Sequence, residues 1–285
     1  MPEEKYAAGV RLLRQPVLPL VSMLQFLYLT GPFATVAEVI AELPEPIETD
    51  RTVYETPRAL LSAYLEVLAG LEQVPQGRAP ARTVVDEAGR PVDLLTAAAA
   101  LLQQEVLTAE LERINSLLCG PCGCTLCCVG PEADMVQEYF EIPLALQELD
   151  LFPVPRHDSD ASRSRRATDE DELAVDGVPF YRLTGPRLVH WHSGWSLILP
   201  RRSKCPGLEP ASGHCRVYAS RPRVCRRPQI FPYVVEPLEE GNRTWRFRQS
   251  LLAITDCPYV RDLRDEIADY AAASGLKLVL ARNKA

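Results

Sequence analysis

The chain has 285 residues, 47% of them hydrophobic, so it can bury a core in one large domain or two ordinary ones without a metal as its main support. The net charge of −7 argues against nucleic-acid binding by the protein as a whole. The apolar run 17–29 is too short to cross a membrane, and the N-terminus has no basic leader. These features predict a cytoplasmic protein with no membrane partner.

The first part of the chain, residues 1–116, has no cysteine and shows apolar residues at helical spacing. This spacing predicts helices over 17–43, interrupted at Gly31-Pro32, and over 58–71. A stretch rich in Ala, Leu and Glu over 92–118 predicts a long helix that ends at the first cysteine. We therefore expect an N-terminal helical region that serves as a scaffold or as a partner-binding face.

The second part, residues 117–285, is expected to be an irregular, cysteine-rich domain with short strands and a C-terminal helix over 259–273. Pro131 and Glu132 predict a helix that runs to Leu149, with its positive end facing the cysteines. The polar segment 155–177 predicts a mobile loop. Aromatic and β-branched runs predict the strands 178–183, 188–191, 195–199 and 251–254. Together these elements predict an α+β fold.

Five of the nine cysteines lie within ten residues, and such small side chains fill little core volume. Several thiolates that converge on one point are typical of a zinc site or an iron–sulfur cluster. Thiols stay reduced in the cytoplasm, which favours metal over disulfides. These five residues are Cys119, Cys122, Cys124, Cys127 and Cys128.

The other four cysteines are Cys205, Cys215, Cys225 and Cys257. Cys205 and Cys257 each precede a proline, a step that recurs at iron–sulfur ligands. Cys215 and Cys225 stand ten residues apart in an arginine-rich stretch, and eight basic residues with one acid occur between 201 and 227. Histidine ligands are also conceivable at His190, His192 and His214, although histidines beside tryptophans more often form an ordinary surface.

These cysteine motifs resemble the CxxCxxCC family of zinc- or iron-chelating proteins, also called YkgJ-type cysteine-cluster proteins. Cys127-Cys128 is similar to the end of that family's first motif, and Cys205-Pro206-Gly207-Leu208 to its second. The third is the segment 215–226, with Tyr218, Arg221-Pro222 and Cys225-Arg226, and Cys257 is similar to the last. The resemblance covers about residues 117–260. Pro121 stands where the family has a cysteine, so which of the five clustered cysteines is spare stays open.

The resemblance implies a metal or iron–sulfur centre held by cysteines of the 119–128 segment and by Cys205, Cys215, Cys225 and Cys257. A [4Fe–4S] cluster with a redox or cluster-dependent role is favoured, and zinc is the alternative. Arg216, Arg221 and Arg226 are expected to neutralise the charge of the centre and tune it. The partner is expected to be an unidentified protein or redox partner.

Two other functions stay open. One is a zinc-stabilised interaction module without catalysis. The other is an enzyme similar to the flagellin lysine N-methylases found among the relatives of this family. The sequence has no Gly-x-Gly-x-x-Gly motif that opens a βα unit, which argues against a conventional nucleotide-type fold for a methyl donor.

Overall fold

The computed structural model describes residues 2–75, 82–168, 173–209, 211–238 and 243–282. Helices and strands are both present, so the α+β prediction is confirmed. The helices are α1 (Pro2–Lys5), α2 (Ala7–Leu13), α3 (Leu18–Thr30), α4 (Val36–Glu42), α5 (Pro57–Ser62), α6 (Leu65–Leu68), α7 (Leu94–Cys122), α8 (Asp160–Arg163), α9 (Pro258–Asp262) and α10 (Arg264–Ala273). Short 3₁₀-helices are Ala69–Gln73, Leu146–Leu151, Phe180–Arg182, Tyr218–Ser220 and Arg223–Arg226.

The strands are β1 (Ile47–Glu48), β2 (Val53–Tyr54), β3 (Thr83–Val85), β4 (Tyr139–Leu144), β5 (Arg156–His157), β6 (Ala174–Val175), β7 (Val178–Pro179), β8 (Arg187–Trp191), β9 (Gly194–Pro200), β10 (Ile230–Pro237), β11 (Thr244–Ile254) and β12 (Lys277–Ala281). The short pairs β1–β2 and β6–β7 are antiparallel.

The described chain forms two compact units. The first unit contains residues 2–121 and 229–282, and the second contains residues 122–228. We expected a division into 1–116 and 117–285, whereas the second unit interrupts the first. The reason is strand pairing, because β11 runs parallel to β3 as well as to β12 and antiparallel to β10.

The first unit is built around α7, whose first turn is capped by a side chain. Asp93 accepts hydrogen bonds from the backbone N–H of Thr96 at 3.0 Å and from its hydroxyl at 2.6 Å. These bonds lower the pKa of Asp93 and satisfy a donor that the helix leaves unpaired. Along α7 the buried residues include Leu107, Leu111 and Ile114, which recur at helical spacing and face the core. The predicted long helix is therefore present, and it continues to Cys122.

Two buried polar networks tie α7 to the C-terminal part of the first unit. Asn115 donates to the carbonyl of Ile230 at 2.9 Å and accepts from the hydroxyl of Tyr259 at 2.8 Å. Glu110 accepts from the backbone N–H of Val17 at 3.0 Å and from the hydroxyl of Tyr270 at 2.6 Å. Buried polar groups that are hydrogen-bonded in this way fix the register of the elements that carry them.

Burial shifts the pKa values of Glu110 and Tyr270, the two titratable groups of the second network. It raises the pKa of Glu110 to about 8, while the two hydrogen bonds act in the opposite direction. It also raises the pKa of Tyr270 well above its ordinary value, and the negative charge of Glu110 adds to this. Glu110 is therefore mainly protonated at neutral pH.

The second unit has a four-stranded sheet in the order β4-β9-β8-β5, with apolar side chains on both faces. Alternation along β9 sends Ile198 to one face and Leu197 and Leu199 to the other. Complete burial of one such side chain stabilises a fold by about 1.5–3 kcal/mol. Cys205 packs against the cluster that contains Leu197 and Leu199, so the core of the sheet supports one of the thiols.

The predicted helix from Pro131 to Leu149 is wrong. Residues Tyr139–Leu144 form the strand β4, which pairs antiparallel with β9, and the helical part is limited to the 3₁₀-helix Leu146–Leu151. Pro143 could not donate a helical hydrogen bond, but it fits an edge strand. Residues 131–149 therefore do not supply the α-helix N-terminus that was predicted to face the cysteines.

The polar segment 155–177 contains β5, α8 and β6 in its described part, and residues 169–172 lie outside the described residues. Ser159 caps α8 by accepting from the N–H of Ser162 at 3.2 Å. The predicted strand 178–183 is limited to β7, followed by a 3₁₀-helix. The strand predicted at 251–254 extends back to Thr244, and the final helix is divided into α9 and α10.

Within the described ranges, one helical stretch, Ala7–Thr30, is long and apolar enough to cross a membrane. Half of its apolar 18-residue window is buried inside the protein, and a core helix of a soluble protein meets the same criterion.

Candidate metal centre

All nine cysteines lie in the described part of the chain. Two belong to the first unit: Cys119, in the last turns of α7, and Cys257, which is buried and immediately precedes α9. The second unit contains the other seven: Cys122, Cys124, Cys127, Cys128, Cys205, Cys215 and Cys225. A centre within the second unit therefore has more thiols available than one four-ligand site needs.

Backbone pairing holds the segments of Cys128 and Cys205 side by side. The N–H of Cys205 donates to the carbonyl of Cys128 at 2.8 Å, and Val129 forms an antiparallel bridge with Lys204. The N–H of Gly130 extends the ladder by donating to Ser203 at 2.8 Å. Two cysteines 77 positions apart in the chain are thus neighbours across a short β-ladder.

Gly130 is required for this pairing because the facing backbone comes too close for any side chain. A Cβ atom at this position would lie 1.9 Å from the carbonyl oxygen of Pro200 and 2.8 Å from that of Leu199. The predicted helix start at Pro131 and Glu132 leaves this role of Gly130 unrecognised. A glycine two residues after the Cys-Cys pair was the available signal.

A tight turn places Cys215 near Cys205. The N–H of Leu208 donates to the carbonyl of Cys205 at 2.9 Å, and Leu208 then forms an antiparallel bridge with Cys215. The N–H of Arg216 donates to the carbonyl of Gly207 at 2.8 Å, which completes a small hairpin. The motif Cys-Pro-Gly-Leu is therefore a turn that brings two thiols to one side of a small hairpin.

Cys225 lies in the 3₁₀-helix Arg223–Arg226, directly after Pro222. Its N–H donates to the carbonyl of Pro222 at 2.9 Å. Glu148 anchors the start of this turn by accepting from the N–H of Arg223 at 3.0 Å. The Arg-Pro-x-x-Cys-Arg motif thus fixes the backbone that carries Cys225.

Five thiols form what we call the thiol cluster: Cys127, Cys128, Cys205, Cys215 and Cys225. Electrostatic interactions connect its members. Burial raises the pKa of Cys225 to about 12, and the charges of Cys127, Cys205 and Cys215 add to this effect. Burial likewise raises the pKa of Cys205, with contributions from Cys215 and Cys127.

Cys127 and Cys128 share a hydrogen bond and titrate in opposite directions. Donation from the Cys128 thiol lowers the pKa of Cys127, and the same bond, with burial and the neighbouring thiols, raises the pKa of Cys128. Without a cation, the cluster therefore resists holding several negative charges together. A bound metal would remove this resistance, because it favours the thiolate of every ligand.

The arginines predicted to neutralise the centre have different positions. Arg221 is buried, with its guanidinium 3.8 Å from the ring centroid of Tyr218. Its charge contributes to the lowered pKa of Cys127 and partly offsets the rise in the pKa of Cys225. Arg216 is exposed and acts in the same direction on Cys205. Arg226 donates to the carbonyl of Arg221 at 3.0 Å, so it supports the backbone that carries the buried guanidinium.

The donor set of the thiol cluster fits a thiophilic metal or an iron–sulfur cluster. Sulfur ligands of one zinc ion lie about 3.8 Å apart, given bonds of about 2.3 Å. Within the described ranges, no three of these five sulfurs lie within 4.8 Å of one another, so binding has to draw them closer.

The histidine candidates are engaged elsewhere or exposed. His190 stacks on Trp195, with ring centroids 4.6 Å apart, and its Nδ1 lies 3.1 Å from Asp158. β8 ends at Trp191, so His192 lies just beyond the strand, where it is exposed. His214 precedes Cys215 and is exposed.

No family model, curated protein or solved structure matches this chain in comparisons with known proteins. The resemblance to the cysteine-cluster family thus stays a prediction from the motifs.

Proposed function

We propose that this protein is a cytoplasmic metalloprotein that binds an iron–sulfur cluster, with [4Fe–4S] favoured, through the thiol cluster of its second unit. The observation that supports this is the assembly of Cys128, Cys205 and Cys215 by consecutive backbone hydrogen bonds, with Cys127 and Cys225 in the same electrostatic field. Disulfide chemistry would need only pairs of cysteines, whereas a cluster needs several thiolates together.

When bound, such a cluster supplies one-electron chemistry, or a Lewis-acidic iron if one position stays open. The chain itself supplies thiolate ligands, a buried guanidinium at Arg221 and an apolar support beneath Cys205. Counter-charge and burial around the sulfurs are the features by which a protein tunes the potential of a cluster. A redox partner protein is the partner that this role requires.

Anaerobic purification of the whole chain, after expression with added iron, tests the proposal. We expect iron and acid-labile sulfide in equal amounts, a broad visible charge-transfer absorption, and an electron paramagnetic resonance signal after reduction. A colourless protein with stoichiometric zinc would instead support the zinc-stabilised interaction module. The lysine N-methylase alternative rests on the resemblance alone, and methyl transfer to flagellin by cluster-loaded protein is its test.

Cys205→Ser, Cys215→Ser and Cys225→Ser are each expected to lower bound metal severalfold, because a serine hydroxyl is a poor ligand for a thiophilic metal. Metal per chain, measured on proteins purified side by side, checks this. Ala219→Ser is the matched control, since it introduces a serine at an exposed position between Cys215 and Cys225 and removes no thiol. Full metal content in all three serine variants would contradict the participation of these residues.

Cys257 is a separate prediction, based on its cysteine–proline step. Cys257→Ser is expected to lower bound metal if this residue is a ligand. Because Cys257 is 1% exposed, the variant can also weaken the fold of the first unit. Thermal unfolding of the metal-free variant distinguishes the two effects, and an unchanged metal content would exclude Cys257 as a ligand.

A further inference from the structure

The second unit contains more cysteines than one centre uses. A structural zinc ion and a [4Fe–4S] cluster each take four protein thiolates, or fewer where an open position is kept. This unit has seven cysteines, and the thiol cluster accounts for five of them. The remaining two are Cys122 and Cys124, and their geometry differs from that of the other five.

Cys122 and Cys124 have their sulfurs within 4.8 Å of each other. Cys122 is the last residue of α7, and Gly123 follows with φ of 68°. This left-handed conformation turns the chain back at once, so the side chains on either side of the glycine converge. A separation below 4.8 Å is close to the spacing of about 3.8 Å that two sulfur ligands adopt on one zinc ion.

A turn separates this pair from the thiol cluster. The N–H of Cys128 donates to the carbonyl of Thr125 at 2.8 Å, which closes a turn between Cys124 and the Cys-Cys step. Cys124 still raises the pKa of Cys127 by its charge, so the two groups are neighbours.

We infer that the cysteines are divided between two metal centres. One centre uses Cys122 and Cys124 together with ligands from outside the pair. The other uses up to four members of the thiol cluster. This inference rests on the proposed function, because it concerns how the bound metal is distributed, and it assigns the Cys-Gly-Cys step to a site of its own.

Two double variants of the whole chain test the division: Cys122→Ser/Cys124→Ser and Cys205→Ser/Cys215→Ser. Iron, zinc and sulfide per chain are measured together with the electron paramagnetic resonance spectrum. Each variant is expected to lose one share of the metal and to keep the other, and the two losses should add up to the wild-type content. If either variant loses all metal while its circular dichroism is unchanged, the centre is single and the division is overturned.

Titration of the reduced, metal-free wild-type chain with Co²⁺ gives a readout that does not depend on the folding of a variant. Two equivalents of cobalt with thiolate charge-transfer absorption support two centres, and an end point at one equivalent overturns the division. A wild-type chain that binds neither cobalt nor iron would overturn the proposed function as well, which distinguishes the two failures.

Discussion

Gly130→Ala is expected to destabilise the second unit by on the order of 3 kcal/mol and to reduce its metal content severalfold. The new Cβ would meet the carbonyl oxygens of Pro200 and Leu199 at 1.9 and 2.8 Å, and both are backbone atoms that no side-chain rotation can move. The ladder between residues 128–130 and 203–205 would therefore have to separate. Because that ladder places Cys128 beside Cys205, stability and metal binding should fall together.

Urea unfolding and metal analysis of the purified variant measure these two effects. Gly70→Ala is a suitable control, because nothing lies within 4 Å of a Cβ at that position. Its stability should be close to that of the wild type. A Gly130→Ala variant with wild-type unfolding and metal content would show that the β-ladder does not assemble the thiol cluster.

Glu110→Ala is expected to cost on the order of 4 kcal/mol of unfolding free energy. The change leaves the buried N–H of Val17 and the hydroxyl of Tyr270 without their acceptor and opens a cavity in the first unit. Glu110→Gln keeps a carbonyl oxygen at the same place, so it should cost less. Urea unfolding of the three proteins at pH 6 compares them.

The same carboxyl group predicts how stability depends on pH. Its pKa is about 8 in the folded protein against an ordinary value of 4.5, so the folded state keeps a proton that the unfolded state has released. The stabilisation is complete below pH 4.5 and is lost as pH rises through about 8, by up to about 1.4 kcal/mol per pH unit.

Glu110→Gln removes this titration, so its unfolding free energy should fall less steeply than that of the wild type between pH 6 and 8. Comparing the two slopes cancels the other groups that titrate in this range. Equal slopes would show that Glu110 is already ionised in the folded protein.

Local patterns predicted the elements that depend on local interactions. The helical spacing of residues 92–118 predicted α7, and Gly31-Pro32 predicted the break between α3 and α4. In contrast, β3, β10 and β12 were missed, because their pairing with β11 joins residues that are far apart in the sequence. The same reason explains the error at residues 139–144, where pairing with β9 overrides an apolar pattern that also suits a helix.

For the candidate site, the cysteine positions could be predicted but their grouping could not. The resemblance implied that distant cysteines share a centre with those of the 119–128 segment, and the structure pairs the backbones of Cys128 and Cys205. The sulfurs of Cys122 and Cys124 lie close together on either side of Gly123, whose φ of 68° residue types alone do not specify. Arg221 is buried whereas Arg223 and Arg226 are exposed, and the sequence alone does not distinguish these arginines.

The first unit consists of two chain segments on either side of the second unit, so it can be completed only after the second unit has been synthesised. Its long helix cannot complete the buried bonds of Asn115 and Glu110 until Ile230, Tyr259 and Tyr270 have left the ribosome. The second unit is continuous in the chain, so its synthesis is finished while the first unit is still incomplete. Nascent chains whose part outside the ribosome ends at residue 228 or at residue 282 would therefore differ in the protease resistance of the helical region.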